Sequence, residues 1–261
     1  MLPGERGGLV LSVVVGPLHG APVVVRNPDV LHDAASTMKV AVLAALYRSG
    51  VDLDAARPVV NRFVSVAGGR FANAREWDSD PEPWLLLDGG GSASLRWLAE
   101  RMITHSSNLA TNICLAEVGP DAVSEVWRRA GATYSATPRG IEDYAARDAG
   151  VHNRVTAGDL VRLLRSLEPG LLALLERNTW RVDLAAGLPE RARIAFKNGW
   201  FPGVRHSVGV VHPGDVQPYV IAVCYSGPLA SGRGGYEDDP AARLLARISA
   251  GVWVRRRELA G

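Results

Sequence analysis

The chain has 261 residues, 47% hydrophobic and 21% charged, which is enough for one large domain or two lobes sharing a core. Its 29 basic and 27 acidic residues leave a net charge of +2, and the basic run Arg255-Arg256-Arg257 suits a solvated helix end. Neither offers the concentrated basic face of a nucleic-acid partner, and the 2 cysteines and 6 histidines show no metal-ligand spacing, so no cofactor or metal is expected.

The first sixteen residues, MLPGERGGLVLSVVVG, lack the basic start, apolar stretch and cleavage site of a signal peptide. The apolar run Leu9 to Val15 is too short to span a bilayer. As written, the expectation is a cytoplasmic protein; a start further upstream would instead fit an exported one. Leu9 to Val15 and Ala21 to Arg26 are valine-rich runs around Gly16-Pro17 and Gly20, which predicts a hairpin. From Ser36 the sequence predicts a helix that is apolar nearly all round, ended by Gly50 and therefore buried. Residues 67 to 92 are rich in Gly, Asp and Pro and read as a long irregular connection bordering a cleft. Helices follow at Ser94 to Thr104, Asn108 to Glu117, Pro120 to Ala130, Ala157 to Ser166 and Leu171 to Asn178. Strands return at Ile194 to Lys197, His206 to Val211 and Tyr219 to Tyr225, and a helix from Asp238 to Glu258 closes the chain. Cys114 and Cys224 read as small buried hydrophobes, with a disulfide between them left open.

Strands at both ends with helices between them predict an α/β (α+β) fold: an antiparallel sheet with flanking helices plus an inserted all-helical lobe. The expected division is one domain, 1–261, in which 1–33 and 190–261 make the sheet lobe and 34–189 the helical lobe.

Three short patterns carry chemistry. In Ser36-Thr37-Met38-Lys39, Ser36 and Lys39 stand at i and i+3 on one helix face. A serine hydroxyl needs a base, and a lysine among apolar neighbours (Met38, Val40, Val42) has the lowered pKa that lets it act as one. The bland reading is a capping serine beside a lysine that snorkels to water. Ser106-Ser107-Asn108 sets a hydroxyl and an amide at a helix start, suited to passing a proton and holding a carbonyl, or simply to capping. Lys197-Asn198-Gly199, at a strand end before Trp200, can fix an anion, and its glycine lets a substrate lie along the strand edge.

In this order and setting, the three patterns resemble the S-x-x-K, S-D-N and K-T-G set of class A β-lactamases and penicillin-binding proteins. AASTMKVAVLAAL, MITHSSNLATNICL, NRVTAGDLVRLL, NTWRVDLAAGLP and RHSVGVVHP extend the resemblance over most of the chain. It implies that Ser36 is the acylated nucleophile and Lys39 its base. Ser106 would relay a proton, Asn108 would bind a substrate amide, and Lys197 and Asn198 would meet an anionic group. The N–H groups of Ser36 and Trp200, the latter following Gly199, would form an oxyanion hole. Arg205 falls where many class A enzymes keep an arginine for the substrate carboxylate; as a residue it reads equally well as a surface strand arginine.

The sequence departs from the family pattern at several places. Ser107 replaces the usual aspartate, Asn198 replaces threonine or serine, and Trp200 adds a large aromatic beside the oxyanion position. The glutamate that activates water in class A enzymes has Glu142 as its counterpart, yet position 146 is alanine where the pattern asks for asparagine. Glu142 then reads either as that base on a rebuilt loop or as the start of a short helix. Only Met1 to Gly8 precede the first strand, where the family has a helix. The resemblance implies a serine hydrolase acting on an amide, lactam or ester of a small or peptide-like molecule with a negative group. Two alternatives stand beside it: a penicillin-binding D,D-peptidase or acyltransferase that resolves the ester with an amine, and an inactive binding protein that keeps the cleft.

Overall fold

The computed structural model describes residues 9–232 and 239–260. The expectation for Met1 to Gly8 and the Asp238 start of the last helix lie outside the described residues. Strands β1 (Val10–Pro17) and β2 (Val24–Arg26) form the expected N-terminal hairpin, and β3 (Arg193–Phe201), β4 (Val204–His212) and β5 (Tyr219–Ser226) complete the sheet. Its order is β2-β1-β5-β4-β3, antiparallel throughout, so the N-terminal strand pairs with the last one and β3 is an edge.

Both faces of this sheet are covered, and the period-two alternation of its strands shows how. Along β5, Val220, Ala222 and Cys224 join the core shared with the helical lobe, while Tyr219, Ile221, Val223 and Tyr225 join a second core under helix α6 (Pro240–Val254). Strands buried on both sides read as continuous apolar runs, which is why YVIAVCY carries so little polar punctuation. Asp239 caps α6 by accepting from the N–H groups of Ala241 and Ala242. Arg256 pairs with Asp215 beyond the helix end.

Between the hairpin and β3 lie α1 (Lys39–Arg48), α2 (Leu95–Thr104), α3 (Asn108–Arg129), α4 (Ala157–Arg165) and α5 (Pro169–Glu176). Every residue of α1 from Lys39 to Leu46 is buried, as its apolar circumference requires. Gly119 (φ +76°) and Pro120 break α3 at the point where the sequence places a stop, and the two halves abut as one kinked element. Ser94 and Thr156 cap α2 and α4 through their hydroxyls.

Two boundaries differ from the sequence expectation. A 3-10 turn, Ala35–Met38, precedes α1, and Ser36 caps no helix; the Ala35 N–H donates to Asp33 Oδ1 at 3.0 Å. Strand β3 runs on through Trp200 and Phe201 to a two-residue turn at Pro202-Gly203, so Lys197-Asn198-Gly199 sits within the strand rather than at its end. The pairing with β4 (Arg205 with Trp200, Val204 with Phe201) outweighs the turn-like composition of Lys-Asn-Gly. Both cysteines are buried free thiols, and burial pushes the pKa of each upward. Among the described residues, no helix is long and apolar enough to cross a membrane.

Candidate active site

Chain direction reverses at residues 33–36, between the first hairpin and α1, and this reversal places Ser36 against the edge of the sheet. Three contacts hold it. The Ala34 N–H donates to the Asn153 carbonyl at 3.0 Å, Thr37 Oγ1 donates to the Ala34 carbonyl at 2.6 Å, and His206 Nε2 meets the Asp33 carbonyl at 2.9 Å. Because His206 Nδ1 accepts from the Tyr225 N–H, its proton is on Nε2 and it donates to Asp33. Ala35 has φ +43°, a left-handed conformation costly for a residue with a Cβ. Gly199 explains how β3 comes so close: a Cβ there would lie 2.5 Å from the Ser36 nitrogen and 3.0 Å from that of Thr37. Only glycine permits this approach.

Lys39 is fully buried at the start of α1. Its Nζ reaches the Ser106 carbonyl at 2.6 Å, Asn108 Oδ1 at 2.8 Å and Ser106 Oγ at 3.2 Å. Burial lowers its pKa from 10.5 to about 7, an effect that the charges of Asp78, Glu142 and Asp80 partly oppose. Lys197 comes from β3 to the same hydroxyl: its Nζ donates to Ser106 Oγ at 3.0 Å and to the Asn198 carbonyl at 2.9 Å. Burial and the neighbouring Lys39 hold its pKa well below the ordinary value. Ser106 therefore lies between two buried amines, in a left-handed conformation (φ +62°).

The Ser106–Asn108 turn is held by a carboxylate the sequence reading missed. Asp78 Oδ2 accepts from the N–H groups of Asn108 (3.1 Å) and Leu109 (2.9 Å), from Ser107 Oγ (3.2 Å) and from Trp84 Nε1 (3.0 Å). The carboxylate absent at position 107 is thus brought in from the Asp-rich connection, while Ser107 caps α3 through the Ala110 N–H. Nothing local marks Asp78, since it lies 29 residues from its partner Ser107.

Glu142 is placed in the same constellation. Its Oε1 accepts from Asn108 Nδ2 at 2.8 Å and its Oε2 from the Ala74 N–H at 2.7 Å. Asn108 thus gives Glu142 an amide contact although position 146 is alanine. Burial raises the Glu142 carboxyl pKa, against the hydrogen bonds it accepts. Glu142 does not cap the short helix Tyr144–Asp148; Asp143 does, through the Ala146 N–H. A φ of +67° at Glu142 marks the turn that points it inward. Asn108 also donates to the Trp77 carbonyl, so both its N–H donors are engaged and only its oxygen keeps capacity for a further contact.

Three expected substrate contacts have other positions. Arg205 is fully buried, its Nε on Asp183 Oδ1 at 2.6 Å and its Nη1 3.3 Å from Asp239, with its guanidinium 4.8 Å from the Trp200 ring centre. It presents no surface to the cleft and braces Trp200 from behind. Asn198 is equally buried, donating to the Trp180 carbonyl and to Asp183 and accepting from Asn178. Alternation along β3 explains this, because Asn198 and Trp200 project to the face opposite Lys197 and Gly199. Lys197 stands behind Ser106 rather than in open space. Trp200 is half-buried, edge-on to Trp180 at 5.3 Å.

The open space beside Ser36 is a cleft of about 350 Å³, lined by Met38, Trp77, Asn108 and Glu142 and by Trp200, Phe201 and Pro202. Arg139, Tyr144 and Arg147, which sequence reasoning passed over, also line it. Such an arrangement can bring a buried amine, a hydroxyl and a carboxylate to bear on one small molecule.

Several solved structures share this fold. PBP-A is 22% identical, the match covering 95% of this chain and 91% of that one with a TM-score of 0.70. A β-lactamase from Xanthomonas campestris is 20% identical (98% and 94% covered, TM-score 0.75). One from Streptosporangium roseum is 19% identical (98% and 95%, TM-score 0.73). No curated protein is similar enough to the chain to count as a match. The model of the β-lactamase enzyme family matches residues 4–255, and the chain accordingly belongs to that family.

Proposed function

We propose that the protein is a serine hydrolase that cleaves an amide, lactam or ester through an acyl-enzyme on Ser36. The observation that carries this reading is Lys39: fully buried, its pKa near 7, one helical turn from Ser36 and in contact with Ser106. In the neutral form Lys39 takes the proton of Ser36 Oγ as that oxygen attacks the carbonyl carbon. The proton passes through Ser106 Oγ to the leaving nitrogen or oxygen, whose bond to carbon then breaks. Trp200 stands in the ladder position next to the hydrogen-bonded pair that closes the Pro202-Gly203 turn. On the ladder pattern its N–H lies on the free edge of β3, next to Gly199, whose Cβ position meets the Ser36 nitrogen; with the Ser36 N–H it would receive the oxyanion.

Release follows by water. Glu142 takes a proton from a water that attacks the ester carbonyl; that proton passes to Lys39 and from it to Ser36 Oγ, which leaves as the hydroxyl. The Asn108 bond that orients Glu142 towards Lys39 supports this role, and it bridges the bases of the two steps. Intact-mass spectrometry after mixing with a penicillin and with an activated ester tests the proposal. An adduct that forms on Ser36, is absent in Ser36→Ala and decays over time is expected. No adduct from either reagent would overturn the nucleophile, and a permanent one would overturn the role given to Glu142.

A further inference from the structure

The cleft's polar walls are unequal. Ser106, through which the leaving group would take its proton, and Lys197 do not border the open cavity. The part of a substrate that stays on Ser36 then lies in the open cavity, which Glu142 and Phe201 both line. There the short helix Tyr144–Asp148 presents Arg147, half-buried, its guanidinium 6.0 Å from the Phe201 ring centre. Among the described residues no carboxylate pairs with it. The two acids that share the cavity are already engaged: Asp33 with the Ala35 N–H, Glu142 with Ala74 and Asn108. Arg139, which also lines the cavity, is 6% exposed and turns its Nε and Nη1 to the Val151 and Gly140 carbonyls. Arg205 is enclosed by Asp183 and Asp239, so among the described residues Arg147 is the more exposed guanidinium lining this cleft.

The geometry points to Arg147 as the residue that selects a substrate whose acyl part ends in a carboxylate, the apolar stem lying along Trp200 and Phe201. This deepens the hydrolase reading and rests on it for the location of the acyl group. A guanidinium held over an aromatic ring keeps its edge free for two parallel hydrogen bonds to a carboxylate, a geometry a lysine cannot reproduce.

The test separates binding from chemistry. Ser36→Ala protein is titrated calorimetrically with glutaric mono-4-nitroanilide and with neutral butyric 4-nitroanilide. The anionic compound is expected to bind about 10-fold to 100-fold more tightly. Adding Arg147→Ala should abolish that preference, and Arg147→Lys should keep part of it, with melting temperatures verifying that each variant folds. Equal binding of the two compounds, no binding of the anionic one, or a preference that survives Arg147→Ala would each overturn the assignment. In Ser36-intact protein, mono-4-nitrophenyl glutarate should acylate faster than 4-nitrophenyl butyrate, in a ratio that Arg147→Ala lowers. An Arg147-dependent binding preference without any Ser36 adduct would uphold the subsite and sink the hydrolase reading.

Discussion

Replacing Gly199 by alanine puts a methyl group where the Ser36 turn meets the sheet edge. The added carbon would lie 2.5 Å from the Ser36 nitrogen and 3.0 Å from both the Thr37 nitrogen and the Ala35 Cβ. These neighbours are mainly backbone, so no side chain can swing aside. Strand β3 and the 3-10 turn must part by roughly 0.5–1 Å to restore ordinary contact. Overpacking of this kind costs about 1–3 kcal/mol of stability. The larger effect falls on chemistry, because the parting separates the Ser36 N–H from that of Trp200. Displacement of reacting groups by about 1 Å costs on the order of a hundredfold in rate. Stopped-flow release of 4-nitrophenol in the first turnover measures acylation, and urea unfolding measures stability. A control comes from Gly209, in the same hairpin, where the atoms nearest an added carbon are those of the Ile194 side chain and the Phe196 Cβ at 3.0 Å. Gly209→Ala should lose stability and keep its acylation rate. If Gly199→Ala acylates as fast as the native protein, the close approach has no part in catalysis and the reasoning fails.

Three further outcomes follow from the site. With the Lys39 pKa held near 7 by burial, the amine is protonated below that pH, so the acylation rate should rise about tenfold per pH unit up to 7 and level off above it. The unfolded lysine titrates near 10.5 and binds more protons than the folded one between those values, so its contribution to stability rises with pH across that window. An acylation profile without a limb near 7 would remove Lys39 as the base. Glu142→Gln should prolong the Ser36 adduct by about a hundredfold or more. By deleting a charge that raises the Lys39 pKa, it should also move the acylation limb to lower pH; a mass-spectrometric decay rate equal to the native one would reject the deacylation role. Arg205→Ala leaves Asp183 and Asp239 buried without their shared cation and should cost about 3–5 kcal/mol in urea unfolding. A loss below about 1 kcal/mol would mean the pair is not the brace inferred for Trp200.

The amino-acid sequence by itself determined what depends on neighbours along the chain. The Ser36–Lys39 spacing, the buried α1, the break at Gly119-Pro120 and the strands at either end rest on local periodicity and backbone chemistry, and all were legible. So was the order of the three motifs that carries the family resemblance. Only the tertiary structure decided what depends on partners far apart. Glu142 reaches the site because a left-handed turn aims it at Asn108, 34 residues earlier. Asp78 stands in for the carboxylate missing at 107 by folding the Asp-rich connection over the start of α3. Arg205 reads as a substrate-carboxylate arginine or a surface one until Asp183, 22 residues before it, is seen to enclose it. Burial and pairing of a charge are properties of the surroundings, which local sequence does not encode. Hence Arg147, in no motif, faces the cleft, while Arg205, in a motif position, does not.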